Sequence, residues 1–256
     1  MIPLTVRLAC SPYLLALELR GYGLSRIDPT FLQNLSYNFD SLRYLEVDQP
    51  SLRDDLIDFL NFLACFPQPS HLKITPVGSA YNSELESLLP STSIPHLSTI
   101  EAPYDLAGTL VHGRPVLSLR LWSARENGLD RKLFSRLAEG STPLKRLNVD
   151  CGKWRDNVLL DIVEYFPTLQ DLQFRVLRED FYPNLMLERL ASDIKGFLPM
   201  QRFVIYHCAM GSPEDDFDHG TLKLLAVTND RLALIGLRFK TERYEGNRRW
   251  VLLPLS

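Results

Sequence analysis

One short arrangement of apolar positions keeps returning along the chain: apolar, two residues of any kind, apolar, one residue, apolar. It occurs at Leu14/Leu17/Leu19, Leu42/Leu45/Val47, Pro69/Leu72/Ile74, Leu97/Ile100/Ala102 and Val116/Leu119/Leu121. It continues at Leu144/Leu147/Val149, Leu169/Leu172/Phe174, Met200/Phe203/Ile205 and Leu234/Leu237/Phe239. First positions are separated by 28, 27, 28, 19, 28, 25, 31 and 34 residues, a near-regular spacing that chance hits would not keep. The close of each hit alternates, as in Leu45-Glu46-Val47-Asp48 and Leu147-Asn148-Val149-Asp150. A period of two predicts a short strand with one face buried and one exposed.

Between the hits the period changes. Apolar residues at Leu56, Phe59, Leu60 and Leu63 have helical spacing. So do Leu133, Phe134 and Leu137 within residues 131–138, and Leu159, Leu160, Val163 and Phe166 within residues 156–166. Residues 188–198 and 222–227 read the same way. Phe66-Pro67, Phe166-Pro167 and Leu198-Pro199 mark helix ends, because proline disfavours helix at the residue before it. A strand followed each time by a helix, always in one direction, predicts an α/β fold with a parallel sheet and helices outside it.

Leucine supplies 48 of the 256 residues. That is well above ordinary globular usage, and it suits an interior assembled from repeats. Leu8-Ala9-Cys10-Ser11-Pro12-Tyr13-Leu14-Leu15-Ala16-Leu17-Glu18-Leu19 carries a fuller motif, with variants at Leu63-Ala64-Cys65-Phe66-Pro67 and Tyr165-Phe166-Pro167-Thr168-Leu169-Gln170-Asp171-Leu172-Gln173-Phe174. Cys208 stands at the ninth position counted from Met200. On these residues the chain resembles intracellular leucine-rich-repeat proteins of the cysteine-containing type, and in particular the repeat region of fungal F-box proteins. The resemblance implies a horseshoe solenoid, with the parallel sheet on its concave side and helices on its convex side. It implies a single domain over residues 1–256, about eight or nine irregular repeats, and a C-terminal cap or final strand within residues 240–256. An F-box would be a helical segment ahead of the repeats, and no room for one exists before Leu14. The expectation is therefore a fragment, a shortened gene model or a relative without an F-box.

Charge and chemistry narrow the function further. The formal net charge of -3 does not suit a general nucleic-acid binder. No uninterrupted apolar stretch is long enough for a membrane span. Cys10, Cys65, Cys151 and Cys208 form no CxxC pair, which points to reduced thiols and a cytoplasmic or nuclear setting. HExxH, GxSxG, P-loop and GxGxxG motifs are all missing. His207 and Cys208 with Asp215, Asp216, Asp218 and His219 match no standard zinc spacing. The expectation is a non-catalytic protein with no metal and no cofactor.

What remains is the exposed side of the strands. The residue between the last two apolar positions runs Glu18, Glu46, Lys73, Glu101, Arg120, Asn148, Gln173, Val204, Arg238. The residue after them runs Arg20, Asp48, Thr75, Pro103, Trp122, Asp150, Arg175, Tyr206, Lys240. The first half leans acidic and the second basic. Trp, Tyr and Arg are the types enriched at binding hot spots. Trp122, Arg120, Arg175, Tyr206, Arg238, Lys240, Glu46 and Asp48 are the expected partner-binding residues on a concave face that takes a protein. The resemblance implies the substrate-binding part of a ubiquitin-ligase receptor, engaging a cullin-ligase adaptor only if an F-box exists outside this chain. The alternative is a standalone scaffold or inhibitor unrelated to ubiquitin; an enzyme is the least favoured reading.

Overall fold

The structure is a computed structural model, which describes residues 14–19, 40–48, 59–61, 63–64, 66–75, 89–90, 92–124, 129–151, 158–176, 200–207, 234–239 and 248–252. The chain divides into two compact units. One comprises Met1–Leu117 with Glu139–Thr142, the other Ser118–Ala138 with Pro143–Ser256.

In the first unit four parallel strands pair in chain order: β1 (Ala16–Leu19), β2 (Tyr44–Asp48), β3 (His71–Thr75) and β4 (Thr99–Pro103). Register sets Leu17, Leu45, Leu72 and Ile100 side by side, all buried. Val47 and Ile74 form a second buried row beside them. The chain enters each new strand by one repeated device. Successive N–H groups of Arg43 and Tyr44 donate to the Leu15 carbonyl, those of Ser70 and His71 to Arg43, and those of Ser98 and Thr99 to Ser70, at 2.9–3.0 Å. A carbonyl has two lone pairs, so one oxygen can close the turn and open the ladder together. Residues 59–61 and 63–64 are helical, with Phe59, Leu60 and Leu63 buried and Asn61 exposed, as the spacing predicted.

β4 runs directly into α1 (Tyr104–Val111), a helix the sequence pattern did not announce. Asp105 through Val111 are all buried. Its apolar side, Leu106, Ala107, Leu110 and Val111, keeps helical spacing, and its polar side, Asp105, Gly108 and Thr109, is buried as well. It occupies the shortest interval of the series, the 19 residues between Leu97 and Val116. Gly113 follows its C-cap residue at φ 66, the left-handed conformation in which glycine commonly ends a helix.

The second unit has β5 (Ser118–Ala124), β6 (Arg146–Cys151), β7 (Asp171–Val176), β8 (Arg202–His207) and β9 (Leu234–Phe239) in parallel, paired in chain order. The final strand, β10 (Arg248–Leu252), pairs with β9 antiparallel. The entry device recurs: Gln170 and Asp171 N–H groups donate to the Lys145 carbonyl, and those of Gln201 and Arg202 to Gln170. Leu119, Leu147, Leu172 and Phe203 make the buried row.

The backbone register of β9 corrects the sequence reading. Ile235, not Leu237, lies opposite Phe203, and Leu237 pairs with Ile205. The shift is two residues. A two-residue slip leaves the same residues on each face, so alternation alone could not choose between the registers of Leu234-Ile235-Gly236-Leu237.

α2 (Arg131–Leu137) follows β5 and buries Leu133, Phe134 and Leu137, the expected face. Asp130 caps it, its Oδ1 accepting from the Leu133 N–H at 2.8 Å. α3 (Val158–Tyr165) follows β6. Its buried side is Val158, Leu159, Asp161 and Ile162, whereas Leu160 is exposed and Val163 half-buried. The predicted face was therefore displaced around the helix. The run Val158-Leu159-Leu160 offers two apolar stripes, and packing against α2 selects one. Phe134 meets Phe166 edge-on there, at 6.0 Å between ring centroids. Arg131 of α2 completes the contact, pairing with Asp161 at 3.4 Å and with Glu164.

Candidate recognition surface

Side chains that alternate with the buried rows share the other side of each sheet. In the first unit the backbone register lines up Glu18, Glu46, Lys73 and Glu101. Glu46 was expected to be exposed; it is 3% exposed. Its carboxylate is met from three sides. The Tyr44 hydroxyl donates to Oε2 at 2.7 Å, Lys73 Nζ pairs with Oε1 at 3.0 Å, and Thr75 Oγ1 donates to Oε1 at 3.5 Å. A buried carboxylate needs such partners, because stripping its water without replacement is expensive. Burial, and then the hydrogen bond to Glu46, push the Tyr44 phenol well above the ordinary tyrosine range. It therefore stays a donor. His71 stacks obliquely on Tyr44 at 4.8 Å and lies 3.5 Å from Glu101. Asp48 is half-buried, opposite Thr75.

In the second unit three of the expected residues come together. The Arg120 guanidinium lies over the Trp122 ring, 3.9 Å from its centroid, a cation–π contact. Arg120 and Arg175 each approach the same Asp150 oxygen at 3.7 Å. They can do so because β5, β6 and β7 are adjacent and Asp150 stands opposite Arg175. Trp122 reaches this position through a bulge. Leu121 pairs with Val149 and Ala124 with Cys151, so Trp122 and Ser123 together face the single residue Asp150. Tyr206 is next in backbone register to Arg175, and Arg238 to Tyr206. Arg238 thus belongs to the row of Asp150 and Arg175; the sequence had placed it beside Val204, where Gly236 stands. Lys240 lies outside the described residues, as do Arg20, Cys208, Asp215, Asp216, Asp218 and His219.

A third outward row escaped the sequence reading: Ser118, Arg146, Asp171 and Arg202, each one residue before the buried leucine or phenylalanine of its strand. Asp171 accepts from Arg202 at 3.2 Å and from Gln173 Nε2. The signal was available, since a period of two sends residues on both sides of a buried position to the open face. Asp150 was visible in its row too, but nothing in one dimension made it the acceptor for two arginines.

No group of three or more His, Cys, Asp or Glu side chains able to hold a metal occurs among the described residues. No helix among them is long and apolar enough to cross a membrane. Comparison with known protein families finds none that matches this chain, and no curated protein is similar to it in sequence.

Proposed function

We propose that this protein is a non-catalytic protein-recognition module of the leucine-rich-repeat kind, a horseshoe solenoid that docks a partner on the open side of its parallel strands. One observation carries the reading. Arg120 and Trp122 of β5 and Arg175 of β7 are gathered around the buried Asp150 of β6, the strand between them. A tryptophan and arginines held on a rigid sheet have the composition of an interface hot spot. The repeated strand entry and the aligned rows support the repeat architecture.

In the fuller form of the proposal the module is the target-holding part of an F-box-type ubiquitin ligase in the cytoplasm or nucleus. Such a receptor needs no chemistry of its own, because holding a target near the modifying enzyme raises its effective concentration. The alternative is a standalone scaffold or inhibitor. Trp122→Ala and Arg175→Glu are expected to abolish partner capture by the tagged chain in cross-linked cells, in variants that circular dichroism shows to be folded. Capture that survives both refutes this surface. A cullin-ligase adaptor among the captured proteins supports the receptor form; a partner without one supports the scaffold.

A further inference from the structure

The ion pairs on the open face of the second unit share an orientation. Asp150 has 8% of its side chain exposed, whereas its partners Arg120 and Arg175 have 32% and 44%. Asp171 has 16% exposed and its partner Arg202 37%. In each pair the carboxylate lies inward and the guanidinium outward. The aspartates hold the arginines upright, and it is the positive ends that meet solvent. Arg146, exposed and opposite Asp171 in register, adds a further cation. A chain with a net charge of -3 thus carries a cationic sheet face.

We propose that this face of β5–β8 binds an acidic, Asp- and Glu-rich segment of a partner protein. The inference rests on the recognition reading above and names its partner class. A guanidinium offers five N–H donors in a planar fork that matches a carboxylate. Asp150 engages one nitrogen of Arg175 and Asp171 one nitrogen of Arg202; Arg202 Nε is buried, so Arg202 offers a ligand its Nη2 and Arg175 the nitrogens beyond its Asp150 contact. The side chains are also pre-positioned by their aspartates, so less side-chain entropy is lost on binding. The open face of the first unit has the opposite balance. Glu18, Glu46, Asp48 and Glu101 outnumber Lys73 and His71 there, so an acidic segment is discouraged from it.

The test is fluorescence anisotropy on the full chain with three labelled probes of equal length: a Glu/Gly peptide, a Lys/Gly peptide and an oligouridylate. The Glu/Gly peptide is expected to bind, more weakly as salt is raised, and the Lys/Gly peptide not to bind. Arg146→Glu and Arg175→Glu should each weaken binding by about tenfold or more, as reversal of a contacting charge does, while Glu18→Lys in the first unit leaves it unchanged. If Arg175→Glu fails to fold, Arg175→Gln replaces it, with a smaller loss expected in the same direction. No binding of the Glu/Gly peptide, or binding indifferent to both arginine variants, overturns the proposal. Equal binding of the oligouridylate with the same arginine dependence overturns it in favour of a nucleic acid. If the acidic peptide fails but Trp122→Ala still abolishes partner capture, this inference falls and the recognition module stands. If Trp122→Ala and Arg175→Glu leave capture intact, the module reading falls as well.

Discussion

Arg114 is the side chain whose removal is expected to damage the first unit most. It is fully buried, and among the described residues no carboxylate pairs with it; its guanidinium donates to backbone carbonyls instead. Nη1 reaches the oxygens of Thr109, Leu110 and His112 at 3.0–3.2 Å, at the end of α1. Nε reaches Ser93 at 2.8 Å, and Nη2 reaches Pro90 at 2.6 Å and Leu89 at 3.5 Å. The last carbonyls of a helix have no partner within it. Here the Gly113 N–H has turned away to Glu139 and the Arg114 N–H serves Val111, which leaves the Thr109 and Leu110 oxygens to the Arg114 side chain. The same arginine grips the loop that holds Ile94 at φ 52, a strained backbone for a β-branched residue. Burial pushes the guanidinium down to about 10, still far above neutrality, so the donors are all present.

Arg114→Met keeps most of the stem and deletes every donor. Thr109, Leu110 and Leu89 are no more than 4% exposed, so water cannot replace the lost bonds to them. Each stranded acceptor costs about 1–3 kcal/mol. Relief from burying a charge returns part of that, for a net loss of about 3–5 kcal/mol, the range seen when one side of a buried charged interaction is removed. Stability for a whole protein is commonly about 5–15 kcal/mol. The melting temperature should therefore fall by roughly 6–20 °C, with hydrogen exchange accelerated first across residues 92–117. Arg114→Lys, whose ammonium is a compact point charge rather than a fork, should recover only part of the loss. A circular-dichroism melt of Arg114→Met within about 2 °C of the parent would refute the reasoning, since even a 1 kcal/mol change moves a domain of this size by about that much.

Two further outcomes follow from the rows and the buried acid. Leu147, 1% exposed between Leu119 and Leu172, should not tolerate aspartate; Leu147→Asp is expected to cost about 4 kcal/mol or more as an unpaired buried charge, and an unaltered cooperative melt would disprove the register. The folded chain raises the Tyr44 pKa, so it keeps a phenol proton that the unfolded chain releases near pH 10. That contribution is complete below pH 10 and is lost as pH rises beyond it. The stability gap between the parent and Tyr44→Phe, measured by urea titration, should accordingly narrow from pH 8 to pH 11; a constant or widening gap would contradict it.

Much of the architecture was legible in one dimension because its causes are local. The buried rows from Leu17 to Ile100 and from Leu119 to Phe203 follow from a period of two at regular intervals, and α2 from the helical spacing of Leu133, Phe134 and Leu137. The reading lost its grip where several placements are equally amphipathic. β9 has two registers with the same alternation, α3 has two apolar stripes, and α1 fills the shortest interval of the series, where a strand and a helix follow each other with no turn between them. Composition and spacing also placed Arg120, Trp122 and Arg175 on the open face. Only the tertiary structure decided which charges meet: that Tyr44, Lys73 and Thr75 cover Glu46, that Asp150 serves two arginines, and that Arg114 ties a helix end to a distant loop. Hydrophobic alternation is written into consecutive residues, whereas the partner of a charge is a neighbour in space, fixed only once the strands lie side by side.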